Sequence, residues 1–518
     1  MFEVKLRDLG GRVGKLTTPH GALETPFLFP VVDPVRQTPS LERIRSVGFN
    51  GVITNAYLLY KRKGGLAKSV HSELSWTGVI MTDSGGYQVL VYGDIDVDNK
   101  TIVTFEKHIK SDIAVILDVP TGSKMSFEKA YTAVHETYRR GIEALPLIMD
   151  SEQLWVFPVQ GAPYRELVVR AAILGSRLPY DVYAIGSPTV MLEKYRYSKL
   201  VELVILARMH IPPSKPLHVF GVGHPMIIPF LVAAGGDLFD SASYILYARD
   251  GRYMLETGTR DLRELSYFPC NCPVCSKYTP REVLELPSGE REEVIATHNL
   301  YMLMKEIKTV KEAMKEGRLW ELLEYRSRGH PTLLEAFSVI KRYLRFLERT
   351  APTTSPGGKA LYVFDSGSLV NPRLRLNTQR VFSSVLENLR GKTVVLVPAH
   401  RKPYTLQEEY KTLRDLIGER EDIVVLFVHP FLGIFPASVV STYPYYQHEC
   451  RILVNHVNPS SLRKTVENVL RYGARKVILI RSGWLTERLS TVLRKRVFAR
   501  NAQVIICKLS ESSSQLLQ

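Results

Sequence analysis

Apolar and polar positions alternate in blocks over about the first 345 residues of the chain. Short apolar runs predict buried strands, and the amphipathic stretches between them, such as 126–145 and 164–178, predict helices. At least six strand–helix units in some 250 residues favour a (β/α)8 TIM barrel, with a doubly wound parallel sheet as the alternative. The predicted strands are 51–57, 78–86, 112–120, 155–161, 182–187 and 218–223.

The pattern changes in the last third of the chain. Helical sequence at about 299–349 leads into 349–359, a stretch of Pro, Thr and Gly without periodicity that we interpret as a linker. The sequence therefore predicts a barrel domain over 1–348 and a smaller α/β domain over 360–518. The second domain is inferred from apolar runs at 361–365, 393–399, 422–430, 476–483 and 503–508.

Five of the predicted barrel strands end in polar residues or glycines. In a (β/α)8 barrel all C-terminal strand ends face one mouth, which is where such enzymes keep their active sites. We therefore expect these endings to lie around one site. They are Asp83-Ser84-Gly85-Gly86, Asp118, Gln160-Gly161, Gly186-Ser187 and Gly221-Val222-Gly223.

Three aspartates at predicted strand ends are candidates for chemistry: Asp83, Asp118 and Asp240, the last within 237–243. A carboxylate in such a position can act as a nucleophile or as a general base. Three carboxylates suit glycosyl chemistry, in which one attacks the anomeric carbon and another transfers protons to and from the leaving base. Each aspartate taken alone is better explained by helix capping, so the prediction depends on their joint placement.

The net charge of +16, from 68 Lys and Arg against 52 Asp and Glu, favours a polyanionic partner such as tRNA or DNA. A solvated basic surface explains the charge equally well, so charge supports a nucleic-acid function without establishing one. No apolar run approaches the length of about 18 residues that a membrane span needs, and the N-terminus lacks the apolar core of a signal peptide. We therefore expect a cytoplasmic protein.

Three of the five cysteines form a C-x-C-x2-C motif at Cys270, Cys272 and Cys275, and His298 follows further along the chain. Sparse, clustered cysteines predict metal binding rather than disulfide bonds. Three thiolates and one imidazole make a closed tetrahedral set for Zn²⁺ that leaves no position for water, which predicts one structural zinc ion in the segment 270–298. The alternative is three structural thiols near an unrelated histidine.

Together these motifs resemble the tRNA-guanine transglycosylase family over about residues 10–345, in the family's order. The DLFDSAS segment and the long C-terminal extension resemble the archaeal branch. The resemblance implies a TIM barrel with a zinc-bearing insertion and the exchange of guanine 15 in the tRNA D-arm for 7-cyano-7-deazaguanine, in archaeosine biosynthesis. The matching segments are 83–88, 118–122, 159–161, 185–187, 220–225, 237–243 and the Cys3His set.

The resemblance also implies roles for single residues. By this resemblance we expect Asp240 to be the nucleophile that bonds to ribose C1′, which would keep the sugar bonded while one base leaves and another enters. We likewise expect Asp83 to be the general acid and base, and Asp118 to recognise the edge of the base. The target base must leave its stack, and aromatic rings can hold it. The residues expected to assist Asp118 are Ser84, Gln160 and the Gly186 backbone, and the expected aromatic contacts are Tyr87 and Phe220.

Partners follow from the same resemblance: tRNA, 7-cyano-7-deazaguanine and a second copy of the chain in a homodimer. We find no PUA-type RNA-binding module before Gln518, so a separate RNA-binding subunit is a further candidate partner. The motif at 398–404 is similar to one in archaeosine synthase, but Ala399 replaces its cysteine, which argues against synthase activity. Pro188 and Thr189 replace two small apolar residues that are expected near the nitrile of the incoming base.

Two other functions fit parts of the pattern. A catalytically inactive tRNA-binding paralogue, or a partner subunit similar to archaeosine synthase, would keep many of the motifs, although retention of all three aspartates argues against an inactive protein. A metal-dependent (β/α)8 hydrolase would need an open metal site with several histidines at the barrel mouth. His218 and His224 flank one predicted strand, but we interpret both as structural.

Overall fold

The protein is described by a computed structural model over residues 1–63, 66–86, 97–122, 124–354, 357–451, 459–482 and 503–509. The chain forms two compact units, unit 1 over Met1–Ala351 and unit 2 over Pro352–Gln518. The boundary between them falls inside the stretch 349–359, where Pro, Thr and Gly interrupt the pattern of apolar positions.

Unit 1 begins with a three-stranded antiparallel sheet of β1 (Phe2–Asp8), β2 (Gly11–Thr18) and β3 (Gly21–Thr25). Eight parallel strands follow along the chain. They are β4 (Phe27–Pro30), β5 (Gly51–Asn55), β6 (Val79–Asp83), β7 (Ile113–Val115), β8 (Leu154–Val159), β9 (Val182–Ile185), β10 (Leu217–Val219) and β11 (Leu238–Ser241).

The eight strands pair in the order β4-β11-β10-β9-β8-β7-β6-β5. Val31, directly after β4, bridges to Ile53 of β5 in the parallel sense, so the two ends of the sheet meet and the barrel closes. Nearly all strand residues are buried, as apolar strands covered on both faces should be. The predicted TIM barrel is confirmed, and the doubly wound alternative is wrong.

Helices connect these strands, as the amphipathic stretches predict. The stretch at 126–145 forms the helix Phe127–Ile148, which begins where the Ser126 side chain accepts a hydrogen bond from the Lys129 backbone N–H. Among its described residues, unit 1 has α-helices at Leu41–Val47, Ala56–Lys63, Val70–Leu74, Asn99–His108, Phe127–Ile148, Arg165–Gly175, Thr189–Glu193, Tyr197–His210, Ile228–Ala233, Ser243–Arg249, Pro280–Glu285, Ser288–Lys315, Leu319–Ser327, Pro331–Arg342 and Leu344–Thr350, with 3₁₀ turns at Pro225–Ile227 and Leu262–Glu264.

An antiparallel hairpin of β12 (Arg252–Leu255) and β13 (Gly258–Asp261) follows the last barrel strand and its helix. The cysteine motif comes after this hairpin. His298 lies within the long helix Ser288–Lys315, whose buried side packs beside β12. This arrangement forms the insertion that the sequence predicts.

Unit 2 contains a five-stranded sheet in the order β17-β16-β15-β19-β20 and a separate parallel pair, β14 with β18. Alternate residues of β15 belong to two apolar clusters, with Val395 and Val397 in one and Val394 and Leu396 in the other, so both faces of the sheet are covered. The strands are β14 (Leu361–Val363), β15 (Thr393–Pro398), β16 (Ile423–His429), β17 (Gly433–Pro436), β18 (His448–Cys450), β19 (Lys476–Ile480) and β20 (Gln503–Cys507).

The predicted C-terminal α/β domain is confirmed as a fold class, and each of its five predicted apolar runs forms a strand. The short strands β17 and β18 are not predicted from the sequence. None of the helices in the described ranges is both long and apolar enough to cross a membrane. In the part of unit 2 that the structure describes, the α-helices are Pro372–Leu386, Glu408–Ile417 and Pro459–Arg471, and the 3₁₀ turns are Ser366–Val370, Tyr404–Leu406 and Ala437–Val439.

Candidate active site

A cavity of about 770 Å³ opens at the C-terminal ends of the barrel strands. Part of its wall is formed by residues that end these strands or directly follow them, as the geometry of a parallel barrel requires, and the loops and helices that come after the strands form the rest. The three aspartates that the sequence singles out therefore share one cavity. Among the residues that line it are Asn55, Asp83, Asp118, Gln160, Gly186, Phe220, Gly221 and Asp240.

Asp83 is the last residue of β6, and a neighbouring strand end holds it in place. Asn55, the last residue of β5, donates from Nδ2 to Asp83 Oδ2 at 3.2 Å. Burial raises the pKa of Asp83 to about 7, and the negative charges of Asp118 and Asp240 add to the shift. A carboxyl group with a pKa near neutrality can both donate and accept a proton under physiological conditions.

Asp118 is buried and is held by Gln160, whose side-chain amide donates to Asp118 Oδ2. Burial raises the pKa of Asp118 to about 6, against the opposing effect of this hydrogen bond. Gln160 Oε1 accepts three hydrogen bonds, from Thr121 N, Thr121 Oγ1 and Ser187 Oγ, each at 3.1 Å. These donors fix the orientation of the Gln160 amide, so its NH₂ group faces Asp118.

Two glycines make room for this pair of side chains. A Cβ atom at Gly186 would lie 2.1 Å from Gln160 Nε2, and one at Gly86 would lie 2.1 Å from Asp118 Oδ1. Both distances are far below van der Waals contact. The glycine-rich strand ends are therefore required by the close approach of the two polar side chains to the backbone.

Asp240 lies within β11 and is anchored through one carboxylate oxygen. Asp240 Oδ1 accepts from His218 Nε2 at 2.7 Å and from the Gly221 backbone N–H at 3.0 Å. Its side chain is 11% exposed and lines the cavity. Within the described part of the chain no residue donates to Oδ2, which leaves that oxygen for a ligand.

The other residues singled out from the sequence occupy different positions. Phe220 lines the cavity, and its ring centroid lies 4.6 Å from that of His218. Ser84 is buried outside the cavity lining, and its hydroxyl donates to the Ile116 carbonyl at 3.1 Å. The Gly186 backbone N–H donates to the Val159 carbonyl at 3.1 Å. Tyr87 lies outside the described residues.

Sequence reasoning missed two polar contacts of the site, Asn55 with Asp83 and His218 with Asp240. The signal that could have found Asn55 is its place near the end of the predicted strand 51–57, as Asp83 lies near the end of the predicted strand 78–86. Asp237, the other acid near Asp240, has a different environment. It precedes β11 and forms a buried ion pair with Arg12.

Residues 8–332 match the family model described as queuine tRNA-ribosyltransferase. The chain belongs to the tRNA-guanine transglycosylase family. Three relatives named tRNA-guanine(15) transglycosylase are similar over most of the chain. The protein of Aeropyrum pernix is 46% identical over 450 residues, covering 86% of both chains. That of Sulfolobus acidocaldarius is 42% identical, over 86% of this chain and 88% of the relative. That of Methanocaldococcus jannaschii is 36% identical, over 86% of this chain and 68% of the relative.

The similarity of this transglycosylase to its relatives extends further than its recognisable motifs. An alignment of 450 residues exceeds the 351 residues of unit 1, so it continues into unit 2. The resemblance recognised from motifs ends near residue 345, so it underestimates how much of the chain is similar to these relatives. The family is one of pentosyltransferases that act on tRNA.

The transglycosylase also has a candidate metal centre in its barrel insertion. One ligand atom from each of Cys270, Cys272, Cys275 and His298 lies within 4.8 Å of all the others. Cys272 Sγ lies 3.5 Å from Cys275 Sγ, and the two sulfurs lie 3.5 and 3.3 Å from His298 Nδ1. These separations suit four atoms that surround one tetrahedral ion.

The surroundings of His298 select the nitrogen that faces the sulfurs. His298 Nε2 lies 2.9 Å from the Met254 carbonyl oxygen, so this nitrogen carries the proton and donates it. Nδ1 therefore presents its lone pair to the three thiols. The Tyr253 ring stacks on the imidazole, with centroids 3.7 Å apart and planes 9° apart, and fixes its orientation.

Proposed function

We propose that this transglycosylase exchanges guanine 15 of tRNA for 7-cyano-7-deazaguanine, in archaeosine biosynthesis, through a covalent bond between Asp240 and the ribose. The observation that carries the proposal is the convergence of Asp83, Asp118 and Asp240 on one cavity. The name of the three relatives supports position 15 as the target.

In the first half of the reaction, Asp240 Oδ2 forms a bond to C1′ while the bond from C1′ to guanine N9 breaks. The electron pair of that bond goes to the leaving guanine, which takes a proton from the neutral Asp83. The pKa of about 7 supports this role, because a large fraction of Asp83 is then protonated near neutral pH.

In the second half, the Asp83 carboxylate accepts the N9 proton of the incoming 7-deazaguanine, and N9 attacks C1′. The Asp240 carboxylate leaves with the electron pair of its bond to C1′. Both aspartates thus return to their initial protonation states, and no external acid or redox partner is consumed. The sugar never dissociates, so exchange is favoured over loss of the base.

Asp118 and Gln160 are proposed to recognise the base. A buried carboxylate held by an oriented amide can accept hydrogen bonds from the polar edge of a guanine-like base, and a base that lacks those donors leaves it unpaired. Phe220 offers an aromatic face at the same cavity. Ser84, Tyr87 and the Gly186 backbone stay predictions as base contacts.

Pro188 and Thr189 also line the cavity. We propose that they contact the 7-substituent of the incoming base. Three arginines, Arg36, Arg249 and Arg252, add positive charge to the wall and can contact tRNA phosphates. Together with the net charge of +16, they support tRNA as the substrate of this member of the family.

The metal centre is proposed to hold one Zn²⁺ ion, with Cys270, Cys272, Cys275 and His298 as its ligands. Three sulfurs and one imidazole nitrogen are the donor set that zinc prefers in closed sites, and the His298 tautomer fits that role. Bound zinc would link the segment after β13 to the long helix Ser288–Lys315 and so stabilise the insertion. A homodimer and a separate RNA-binding subunit stay predictions.

The experiment that tests the function is incubation of the protein with tRNA transcript and radiolabelled guanine. We expect label to enter tRNA at position 15 and to be chased out by unlabelled 7-cyano-7-deazaguanine. Label at another position would contradict guanine 15 as the target. Absence of label, with tRNA binding retained, would favour the inactive paralogue. A transcript with adenine at position 15 is the matched control and should take up none.

A further inference from the structure

His218 makes the shorter of the two hydrogen bonds to Asp240 Oδ1, the anchored oxygen of the proposed nucleophile. It lies in the middle of β10, next to β11, and its Nε2 atom is 2.7 Å from Asp240 Oδ1. The side chain is fully buried. An ionised carboxylate can only accept hydrogen bonds, so the proton of this contact is on Nε2.

The other imidazole nitrogen, Nδ1, has no hydrogen-bond acceptor within reach among the described residues. His218 Nδ1 is also buried. The nearest ring contacts are Phe220 at 4.6 Å and Phe29 at 6.2 Å between centroids. A proton on Nδ1 would create a buried donor without an acceptor, which costs free energy. The surroundings thus favour one neutral tautomer, with its hydrogen on Nε2.

We infer that His218 is a positioning residue for the nucleophile: its neutral Nε2–H group, with the Gly221 backbone N–H, holds Asp240 Oδ1 and aims Oδ2 at the ribose C1′. This inference rests on the proposed role of Asp240. It differs from the structural role that the sequence suggests for His218.

A neutral donor suits this task better than a cation would. A positive charge beside Asp240 would stabilise the free carboxylate and so weaken its attack on C1′. A neutral N–H group fixes the direction of the carboxylate with a smaller effect on its charge. In the second half of the reaction the same two donors receive the departing carboxylate as its negative charge returns.

The test compares His218→Met with His218→Gln. The two side chains have the same length, but only glutamine carries an N–H group at the position of Nε2. Single-turnover release of labelled guanine from tRNA measures the first chemical step, and steady-state rates give kcat and KM. His135→Met, on the outer helix Phe127–Ile148, is the control for loss of a histidine far from the cavity.

We expect His218→Met to lower the single-turnover rate and kcat by about 10- to 100-fold, the effect of one hydrogen bond to a charged group, with KM for tRNA within about twofold of wild type. His218→Gln should recover most of the loss, and His135→Met should match wild type. Melting temperatures verify that each variant is folded. If His218→Met fails to fold, His218→Gln and His218→Leu give the same comparison of a donor with an apolar chain.

A rate within about twofold of wild type for folded His218→Met would overturn the inference. Equal losses in the Met and Gln variants, or a loss confined to KM, would also overturn it, because then the N–H group does not position the nucleophile. Asp240→Asn is measured in parallel. If Asp240→Asn retains exchange, the proposed function itself fails; if it is inactive while His218→Met is normal, only the role of His218 fails.

Discussion

The proposed role of Asp83 predicts that activity falls on the alkaline side of the pH profile. Burial, together with the charges of Asp118 and Asp240, raises the pKa of Asp83 from 3.8 to about 7. In the proposed mechanism the neutral form of Asp83 donates the proton to the departing guanine, so the fraction of free enzyme that can react falls as pH rises through 7. About half of Asp83 is neutral at pH 7 and about 1% at pH 9, so kcat/KM for tRNA should fall about 50-fold between pH 7 and pH 9.

The Asp118→Asn substitution tests the cause of the shift. The Asp118 charge is the second-largest contribution to the raised pKa of Asp83, after burial. Without that negative neighbour the Asp83 pKa falls, so the midpoint of the alkaline limb should move to lower pH, whatever the substitution does to the maximal rate. Asp150→Asn, at an exposed position outside the cavity, should leave the midpoint unchanged.

The assay is the initial rate of labelled guanine exchange at subsaturating tRNA, from about pH 5.5 to pH 9.5. A wild-type profile that stays flat between pH 7 and pH 9 would refute the assignment of Asp83 as the proton donor. A midpoint for Asp118→Asn at the wild-type pH, or above it, would refute the electrostatic explanation of the shift.

Three further predictions concern stability, packing and metal. Asp83→Asn should raise the melting temperature at pH 8 but not at pH 4. The folded-state pKa of Asp83, about 7, exceeds the unfolded value of 3.8, so wild-type protein loses stability as the pH rises from the lower pKa through the higher one, and the substitution removes this loss. Gly186→Ala should lower kcat/KM by about tenfold or more, because the new Cβ would displace Gln160 from Asp118. Gly289 has open space around it, so the control variant Gly289→Ala should have no effect on the rate. The Cys270→Ser variant should lose its bound zinc and melt at a lower temperature than wild type. The control variant Cys507→Ser, in unit 2, should retain one zinc ion per chain. Retention of zinc by Cys270→Ser would contradict the proposed ligand set.

The barrel and the location of its cavity could be predicted from sequence because both depend on local pattern. Apolar runs with amphipathic stretches between them specify strands and helices, and polar strand ends specify the mouth. Asp83, Asp118 and Asp240 were found in this way. The cysteine motif was equally visible, since its spacing is local and its residue types are specific to metal binding.

The contacts around the aspartates could not be predicted, because they join residues far apart in the chain. Asn55 and Asp83 meet only because β5 pairs with β6, and His218 meets Asp240 only through the register of β10 with β11. Ser84 shows the converse problem. Its position beside Asp83 suggests a place in the cavity, but its hydroxyl donates to Ile116 behind the strand end. Neighbours in sequence point to opposite faces of a strand end, and pattern alone does not tell which face a residue takes.

Mass spectrometry of the enzyme after denaturing quench, with tRNA and no incoming base, tests the central claim most directly. The account predicts a covalent adduct in which a peptide containing Asp240 carries the abasic ribose of nucleotide 15, and no adduct for Asp240→Asn. An adduct on Asp83 or Asp118, or full guanine exchange by Asp240→Asn, would contradict it.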